Sequence, residues 1–180
     1  MSERARVAHS EGHVLDTERL TLRRMTEDDA PHVLELLNEP SFIANIGDRG
    51  VRTLDDARRY VRDGPQASYD RHGFGLWLVV LRADDAPIGI CGLLKRDALD
   101  DVDVGFALLP RYWSRGYAHE AAAASIAYGQ AAFGLTRVAA VVQPHNAASI
   151  RVLEKLGMTY ERTTKLSDDG HDVMLYARDL

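Results

Sequence analysis

The sequence lacks several features that whole classes of protein require. Its 180 residues include a single cysteine, Cys91, which excludes an internal disulfide and any metal site built from several thiolates. No segment approaches the ~18 consecutive apolar residues of a membrane-spanning helix, and the first residues contain no apolar core of a secretory signal. We therefore expect a cytoplasmic protein that has no membrane partner.

The charge balance and the histidine spacing bear on nucleic-acid and metal binding. The 27 Asp and Glu residues outnumber the 22 Lys and Arg residues, so the formal net charge at pH 7 is -5. Such a surface does not attract phosphate backbones in general, and we expect no nucleic-acid partner. The seven histidines show neither an HExxH pattern nor another metal-ligand spacing, so we expect no metal.

Length and hydrophobic content are typical of one domain. A chain of 180 residues that is 46% hydrophobic can form one substantial core, whereas two ordinary domains would need more residues. Residues 1–15 show no periodicity and are expected to form a flexible tail. Residues 16–180 are expected to form the domain and its one active site.

The periodicity predicts a mixed α/β (α+β) fold. Polar and apolar residues alternate over residues 18–25, which is typical of a half-buried strand. Thr26 and Thr53 each begin a capping pattern, so a helix is expected after each, with a loop over residues 39–52 between them. The later elements are expected to be strands near 75–82, 87–95 and 102–109, a helix over 116–132, a strand over 137–143, a helix over 146–156, and strands near 159–166 and 172–178. The first three of these strands suggest an antiparallel meander, and the alternation after them requires a parallel crossover.

A glycine-containing turn, WSRGYA at residues 113–118, separates a predicted strand from the long predicted helix. Gly116 lets the backbone approach a ligand closely, and the helix start presents unpaired N–H groups at the positive end of its dipole. Anions bind at such positions, where Arg111 and Arg115 would add positive charge. A tight turn with solvated arginines explains the same residues without a ligand. This segment alone therefore does not decide whether an anion binds here.

A second pattern begins at the end of the next predicted strand. Asn146 is placed to cap the following helix or to face a ligand, and Ser149 lies one turn later on the same helix face. Gly157 is placed to end this helix. As structure alone, Asn146 and Gly157 are simply the two caps.

Together these segments resemble the GCN5-related N-acetyltransferase (GNAT) superfamily, and more closely its branch similar to the RimJ and RimL ribosomal-protein N-terminal acetyltransferases. The matching segments are residues 17–23 (TERLTLR), 112–121 (YWSRGYAHEA) and 146–158, and the resemblance runs from Thr17 to about Arg178. It implies the GNAT fold, a mixed, mostly antiparallel central sheet of six to seven strands flanked by about four helices. It also implies transfer of the acetyl group of acetyl-CoA to an amine.

The resemblance assigns cofactor contacts residue by residue. The pantetheine arm is expected along the strand that starts near Val104, where a bulge or splay frees N–H groups that polarise the acetyl carbonyl. Asn146 is expected to hydrogen-bond the pantetheine. The free N–H groups are expected around Phe106, Ala107 and Leu108, and the pyrophosphate is expected on the backbone of Ser114, Arg115, Gly116, Tyr117 and Ala118, with Arg111 nearby.

Two residues are candidates for proton transfer. Leu153 stands where other GNAT enzymes carry a tyrosine that protonates the departing thiolate, so the resemblance passes that role to Ser149, which also lies at the cofactor. A protonated amine has no lone pair, so a base is also needed. Asp103 matches the acid that opens this strand's motif in the branch and would act directly or through water. An ordinary acid at a sheet edge explains Asp103 equally well.

The acceptor is not encoded in these motifs. By analogy we expect a peptide or protein N-terminus, and a small-molecule amine such as an amino acid, polyamine or antibiotic is the alternative. A non-catalytic acetyl-CoA-binding module is a further alternative, and the resemblance leaves a homodimer open. Cys91 lies in an apolar run without an adjacent base, so we expect direct transfer with no acetyl-cysteine.

Overall fold

A computed structural model describes residues 12–180 of the protein, so the expected tail lies largely outside the described residues. The strands are His13–Asp16 (β1), Leu20–Arg23 (β2), Leu76–Leu81 (β3), Pro87–Leu94 (β4), Asp103–Leu108 (β5), Arg137–Val142 (β6), Thr159–Thr164 (β7) and Val173–Asp179 (β8). The α-helices are Ala30–Leu37 (α1), Pro40–Asn45 (α2), Leu54–Val61 (α3), Ala67–His72 (α4), Tyr117–Phe133 (α5) and Ala147–Lys155 (α6). Short 3-10 turns cover Glu27–Asp29 and Pro110–Tyr112, and a π-helical turn covers Arg62–Gln66.

The strands form one sheet in the order β1-β2-β3-β4-β5-β6-β8-β7. Neighbouring strands are antiparallel except β5 and β6, which are parallel and are joined by the crossover helix α5. The predicted mixed α/β fold with a mostly antiparallel sheet, a meander and one parallel crossover is therefore confirmed.

Helices cover both faces of this sheet, and β3 shows how the sequence achieves this. Along β3, Trp77 and Val79 join the core beneath α5 and α6, whereas Leu78 and Val80 join the core beneath α1 and α3. Successive side chains of a strand point to opposite faces, so the continuous apolar run LWLVVL serves both cores. The centre of the sheet is consequently buried on both faces.

Three local expectations were wrong. The sheet has eight strands within residues 12–180, because β1 forms inside the segment expected as a tail and pairs with β2. Only two apolar residues mark β1, which is too short a signal for periodicity. The expected loop 39–52 contains α2, because Pro40 stands at the first turn of a helix, where its missing N–H costs nothing, instead of ending one. A helical continuation, the π-helical turn and α4, was also not expected after α3.

Candidate active site

The central feature of the site is a divergence between β5 and β6. Their register contains one residue pair, Asp103 with Ala139, supported by a hydrogen bond from Ala139 N to Val102 O of 2.9 Å. The pairing of β5 with β4 runs without a register shift from Asp103 to Leu108. Of the two alternatives that the sequence left open, a splay is therefore present on the β6 side and no bulge is present on the β4 side.

The splay exposes particular backbone groups of β5. Backbone groups of successive residues in a strand point to opposite edges. Val102 O binds β6, whereas Leu109 N binds Ile88 O beside β4 at 2.9 Å. The N–H groups of Phe106 and Leu108 therefore face the gap, where β6 offers them no pairing. They are two of the three groups expected to polarise an acetyl carbonyl. The expectation for Ala107 was wrong, because its N–H points toward β4 like that of Leu109.

The loop before α5 has the backbone geometry of an anion site. Ser114 and Gly116 have φ values of 58° and 81°, both in the left-handed region that glycine adopts most readily. Such turns bring consecutive N–H groups to one side of the chain. The first helical bond of α5 is Glu120 N to Gly116 O at 3.0 Å, so the N–H groups of the first turn remain unpaired by the helix.

A cleft of about 450 Å³ runs from this loop to the splay. Its lining includes no aspartate or glutamate and includes two positively charged residues, Arg151 and Lys155, although the whole chain is acidic. Such a local excess of positive charge favours an anionic ligand. The lining residues are Ser41, Phe42, Asn45, Ile46, Phe106, Ala107, Leu108, Tyr112, Trp113, Ser114, Gly116, Tyr117, Ala118, His119, Asn146, Ala148, Ser149, Arg151, Val152 and Lys155.

Most of the residues predicted to bind the cofactor line this cleft, and two do not. Arg111 pairs with Glu35 of α1, with Nη1 and Oε1 2.6 Å apart. Arg115 is exposed, and its backbone carbonyl accepts a hydrogen bond from Arg19. The predicted ones that line the cleft are Phe106, Ala107, Leu108, Ser114, Gly116, Tyr117, Ala118, Asn146 and Ser149.

Asn146 and Ser149 are joined at the start of α6. Asn146 Oδ1 accepts a hydrogen bond from Ser149 N at 3.2 Å, so Asn146 is the N-cap of this helix. The side-chain NH₂ of Asn146 and the hydroxyl of Ser149 make no hydrogen bond with residues 12–180 and remain available to a ligand. Asn146 thus combines both roles that the sequence left open, capping the helix and facing the cleft.

Asp103 lies away from the first cleft, in a second cavity of about 240 Å³. Its carboxylate is 1% exposed, and Arg96 Nε lies 3.2 and 3.1 Å from its two oxygens. Burial raises the pKa of Asp103, and the charge of Arg96 opposes that rise. The carboxylate is therefore not the ordinary sheet-edge acid that the sequence allowed.

The two cavities meet at one place. Phe106, Ala107, Asn146 and Ser149 line both of them, together with residues of α2 and the loop after it. The splay lies at this junction, because Phe106 and Ala107 belong to the part of β5 that has separated from β6. A ligand in the first cleft and another in the second cavity would approach each other beside Ser149.

Sequence reasoning missed several residues of the cleft. Arg151 and Lys155 recur one helical turn apart on α6, a spacing that would have found them once Asn146 was placed as the cap. Trp113 donates from its indole Nε1 to Leu108 O at 2.8 Å and so fixes the carbonyl at the splayed edge. No local signal reveals this bond.

Cys91 is inert in its folded environment. The side chain is 0% exposed, and its sulfur lies 3.5 Å from Ser125 Oγ across the core. Burial raises the pKa of the Cys91 thiol to about 12, so almost no thiolate forms at neutral pH. A nucleophilic role for this cysteine has no support in the fold.

The chain belongs to the GNAT acetyltransferase family, because a family model described as "Acetyltransferase (GNAT) domain" matches residues 19–159. It is 31% identical to the uncharacterized N-acetyltransferase YnaD of Bacillus subtilis, over 82% of this chain and 83% of the relative. It is an acetyl-CoA-dependent N-acetyltransferase.

Solved structures share the fold. An acetyltransferase from Agrobacterium tumefaciens superposes with a TM-score of 0.78 at 26% identity, over 92% of this chain and 94% of that one. RimL, a ribosomal L7/L12 alpha-N-protein acetyltransferase solved with coenzyme A, superposes with a TM-score of 0.80 at 19% identity, over 93% of this chain and 98% of that one. Within residues 12–180, no helix has the length and apolar character to cross a bilayer, and no group of three metal-ligating side chains is assembled.

Proposed function

We propose that this acetyltransferase passes the acetyl group of acetyl-CoA directly to a primary amine at the junction of its two cavities, and that the amine is a protein or peptide N-terminus. The observation that carries this proposal is the pair Phe106 and Ser149, which line both the acid-free cleft and the second cavity. Acetyl-CoA would occupy the first cleft, and the amine would enter from the second.

The cleft supplies contacts for each part of acetyl-CoA. The backbone N–H groups of the loop from Ser114 to Ala118 bind the pyrophosphate, since they stand at the start of a 17-residue helix. The NH₂ group of Asn146 donates to the pantetheine. The N–H groups of Phe106 and Leu108 donate to the acetyl oxygen and stabilise the charge that develops there during attack.

Proton transfers complete the reaction. The amine nitrogen attacks the acetyl carbon, the carbon–sulfur bond breaks, and the hydroxyl of Ser149 donates its proton to the departing thiolate while it regains one from water. The backbone of Asp103 lies about 10 Å from that of Phe106, because three residue steps along the strand, each ~3.3 Å, join them. Asp103 therefore takes up the amine proton through intervening water, and its raised pKa makes its carboxylate a stronger base.

The size of the second cavity supports a small reacting group. At about 240 Å³ it lies below the ~300–1,000 Å³ range of sites that enclose a drug-sized ligand. The end of a peptide fits this size while the rest of the acceptor remains outside. A small-molecule amine fits equally, and it is the second candidate.

One assay tests the proposal. The purified protein is mixed with acetyl-CoA and a panel of peptides and small amines, and thiol release is followed while mass spectrometry identifies the acetylated product. We expect thiol release that depends on the acceptor, with the acetyl group on an α-amine. If the protein binds acetyl-CoA but no acceptor of the panel causes thiol release, the result would instead support the non-catalytic module.

A further inference from the structure

The charges that face the second cavity are unbalanced. Three charged residues line it, Arg49, Arg96 and Asp103. Arg96 and Asp103 neutralise each other through their hydrogen-bonded ion pair. Arg49 is exposed and makes no hydrogen bond or ion pair with residues 12–180. The cavity of this acidic protein therefore holds one uncompensated positive charge.

A neutral donor lies beside that charge. Tyr60 of α3 lines the same cavity and is half-buried, and its hydroxyl makes no hydrogen bond within the described part of the chain. Burial raises the pKa of Tyr60, and the charges of Arg49 and Arg96 oppose that rise, which places both guanidinium groups within electrostatic reach of the phenol. Tyr60 therefore remains a protonated donor at neutral pH.

This charge pattern selects among amines. A simple amine is an ammonium ion at neutral pH, and the uncompensated charge of Arg49 disfavours its entry. An acceptor that also carries a carboxylate is attracted by Arg49. The arginine and tyrosine donors can then hold that carboxylate while the amine extends toward Ser149.

We propose that the acceptor carries a carboxylate near its reacting amine, and that Arg49 and Tyr60 bind this carboxylate at the outer end of the second cavity. The inference rests on the proposed function, because it specifies the acceptor of the same site. The carboxylate is either the α-carboxylate of a free amino acid or the side chain of an acidic residue next to a peptide N-terminus.

Matched acceptor pairs separate these two sources. One arm compares peptides that differ only in Asp or Asn at the second position, and the other compares amino acids with their carboxamides. In one of the two arms we expect kcat/KM to be at least about tenfold higher for the charged acceptor than for its neutral partner. The arm that shows this difference identifies which carboxylate is bound. Acetyl-CoA is kept saturating throughout.

Variants assign the preference to residues. Arg49→Gln should remove the preference by raising KM for the charged member, whereas Arg49→Lys should keep part of it, and Tyr60→Phe should reduce it. Arg58→Gln is the matched control, because Arg58 lies on α3, is exposed, pairs with Asp55 and does not line the cavity. Arg58→Gln changes the net charge equally and should leave the preference intact.

The outcomes distinguish the two proposals. The carboxylate inference alone is overturned if thiol release occurs with equal kcat/KM for the charged and the neutral acceptor. It is also overturned if Arg49→Gln lowers kcat/KM by the same factor for both acceptors. Absence of thiol release with every acceptor overturns the proposed function and the inference that rests on it.

Discussion

Arg19 holds the backbone of Arg115 from a distance of 96 residues along the chain, with its Nη1 donating to the carbonyl oxygen at 2.9 Å. Its Nε donates to Glu120 at 2.7 Å, and its guanidinium lies 4.5 Å from the centre of the Tyr117 ring. Thr17 adds a hydrogen bond to the same glutamate at 2.6 Å. The hairpin between β1 and β2 therefore braces the loop that precedes α5.

If acetyl-CoA binds at this loop as proposed, the brace makes Arg19 a positioning residue. Arg19→Gln removes charge-assisted contacts, so we expect KM and Kd for acetyl-CoA to rise about tenfold while kcat at saturation stays within about twofold. Arg19→Lys should recover only part of the affinity, since lysine lacks the planar fork.

Arg59→Gln serves as the control for Arg19→Gln, because Arg59 is an exposed arginine paired with Asp56 on α3. Binding titrations and steady-state kinetics of the three variants decide the question. An unchanged acetyl-CoA affinity in Arg19→Gln would show that the loop holds its shape without the brace.

Two glycines at opposite ends of α5 test the pyrophosphate site. Gly116 and Gly134 have φ values of 81° and 65°, so a glutamate at either position meets similar backbone strain and adds the same charge. Saturation at 100 times Kd should stabilise the wild type and Gly134→Glu by about 2.7 kcal/mol. Gly116→Glu should lose this stabilisation, because the carboxylate repels the pyrophosphate. Thermal unfolding with and without acetyl-CoA provides the measurement, and equal stabilisation of both variants would contradict the assignment.

Ser149 and Asn146 should affect different steps. A hydrogen bond to a charged group is worth about 1.5–3 kcal/mol, so Ser149→Ala should lower kcat roughly ten- to a hundred-fold with little change in acetyl-CoA affinity. Ser149→Thr keeps a hydroxyl and should retain most of the turnover. A wild-type kcat in Ser149→Ala would mean that water protonates the thiolate.

Asn146 needs a control for its capping role. Asn146→Ala should weaken acetyl-CoA binding and also lower the free energy of unfolding by about 1 kcal/mol, because the bond to Ser149 N is lost. Asn146→Asp keeps the capping oxygen but lacks the NH₂ donor. It should therefore weaken binding without that loss of stability.

Local signals predicted more of this fold than of its site. The box in which Thr53 and Asp56 exchange hydrogen bonds of 3.1 Å lies within four residues, so the sequence predicts the start of α3. Arg111 could not be placed in this way, because its partner Glu35 lies 76 residues away. The same holds for the splay of β5 and β6 and for the second cavity, which depend on packing between distant elements. The cleft residues were found where a helix start or a family motif marked them.

Cys91 should be dispensable for turnover. Its pKa of about 12 and its full burial predict no reaction of the native protein with a thiol reagent, and one reactive thiol in denaturant. Cys91→Ala should lower the free energy of unfolding by only about 1 kcal/mol, because Ser125 still donates to Ala121 O at 2.8 Å. The variant should also keep most of the activity. Mass spectrometry after incubation with acetyl-CoA alone checks the mechanism, since an acetylated protein would reveal a covalent intermediate.

His32 should make the stability of the protein depend on pH. This residue of α1 is 8% exposed, and its Nε2 has no hydrogen-bond partner among residues 12–180. Burial lowers the pKa of His32, and the nearby charges of Glu35 and Asp29 oppose that shift only in part. Protonation would place a positive charge in this buried site, where the loss of solvation disfavours it.

The direction of the pH effect follows from proton binding. Because its pKa is lowered in the folded state, the unfolded chain takes up the proton of His32 first as the pH falls through the ordinary value of about 6.5. The free energy of unfolding should then decrease, with a slope from this one group of at most ~1.4 kcal/mol per pH unit. Urea unfolding at pH 7.5, 6.5 and 5.5 should show this loss in the wild type and in His171→Gln, which alters an exposed histidine. His32→Leu removes the buried titrating group and should have a flatter profile, so parallel profiles for all three proteins would show that His32 is not the group responsible.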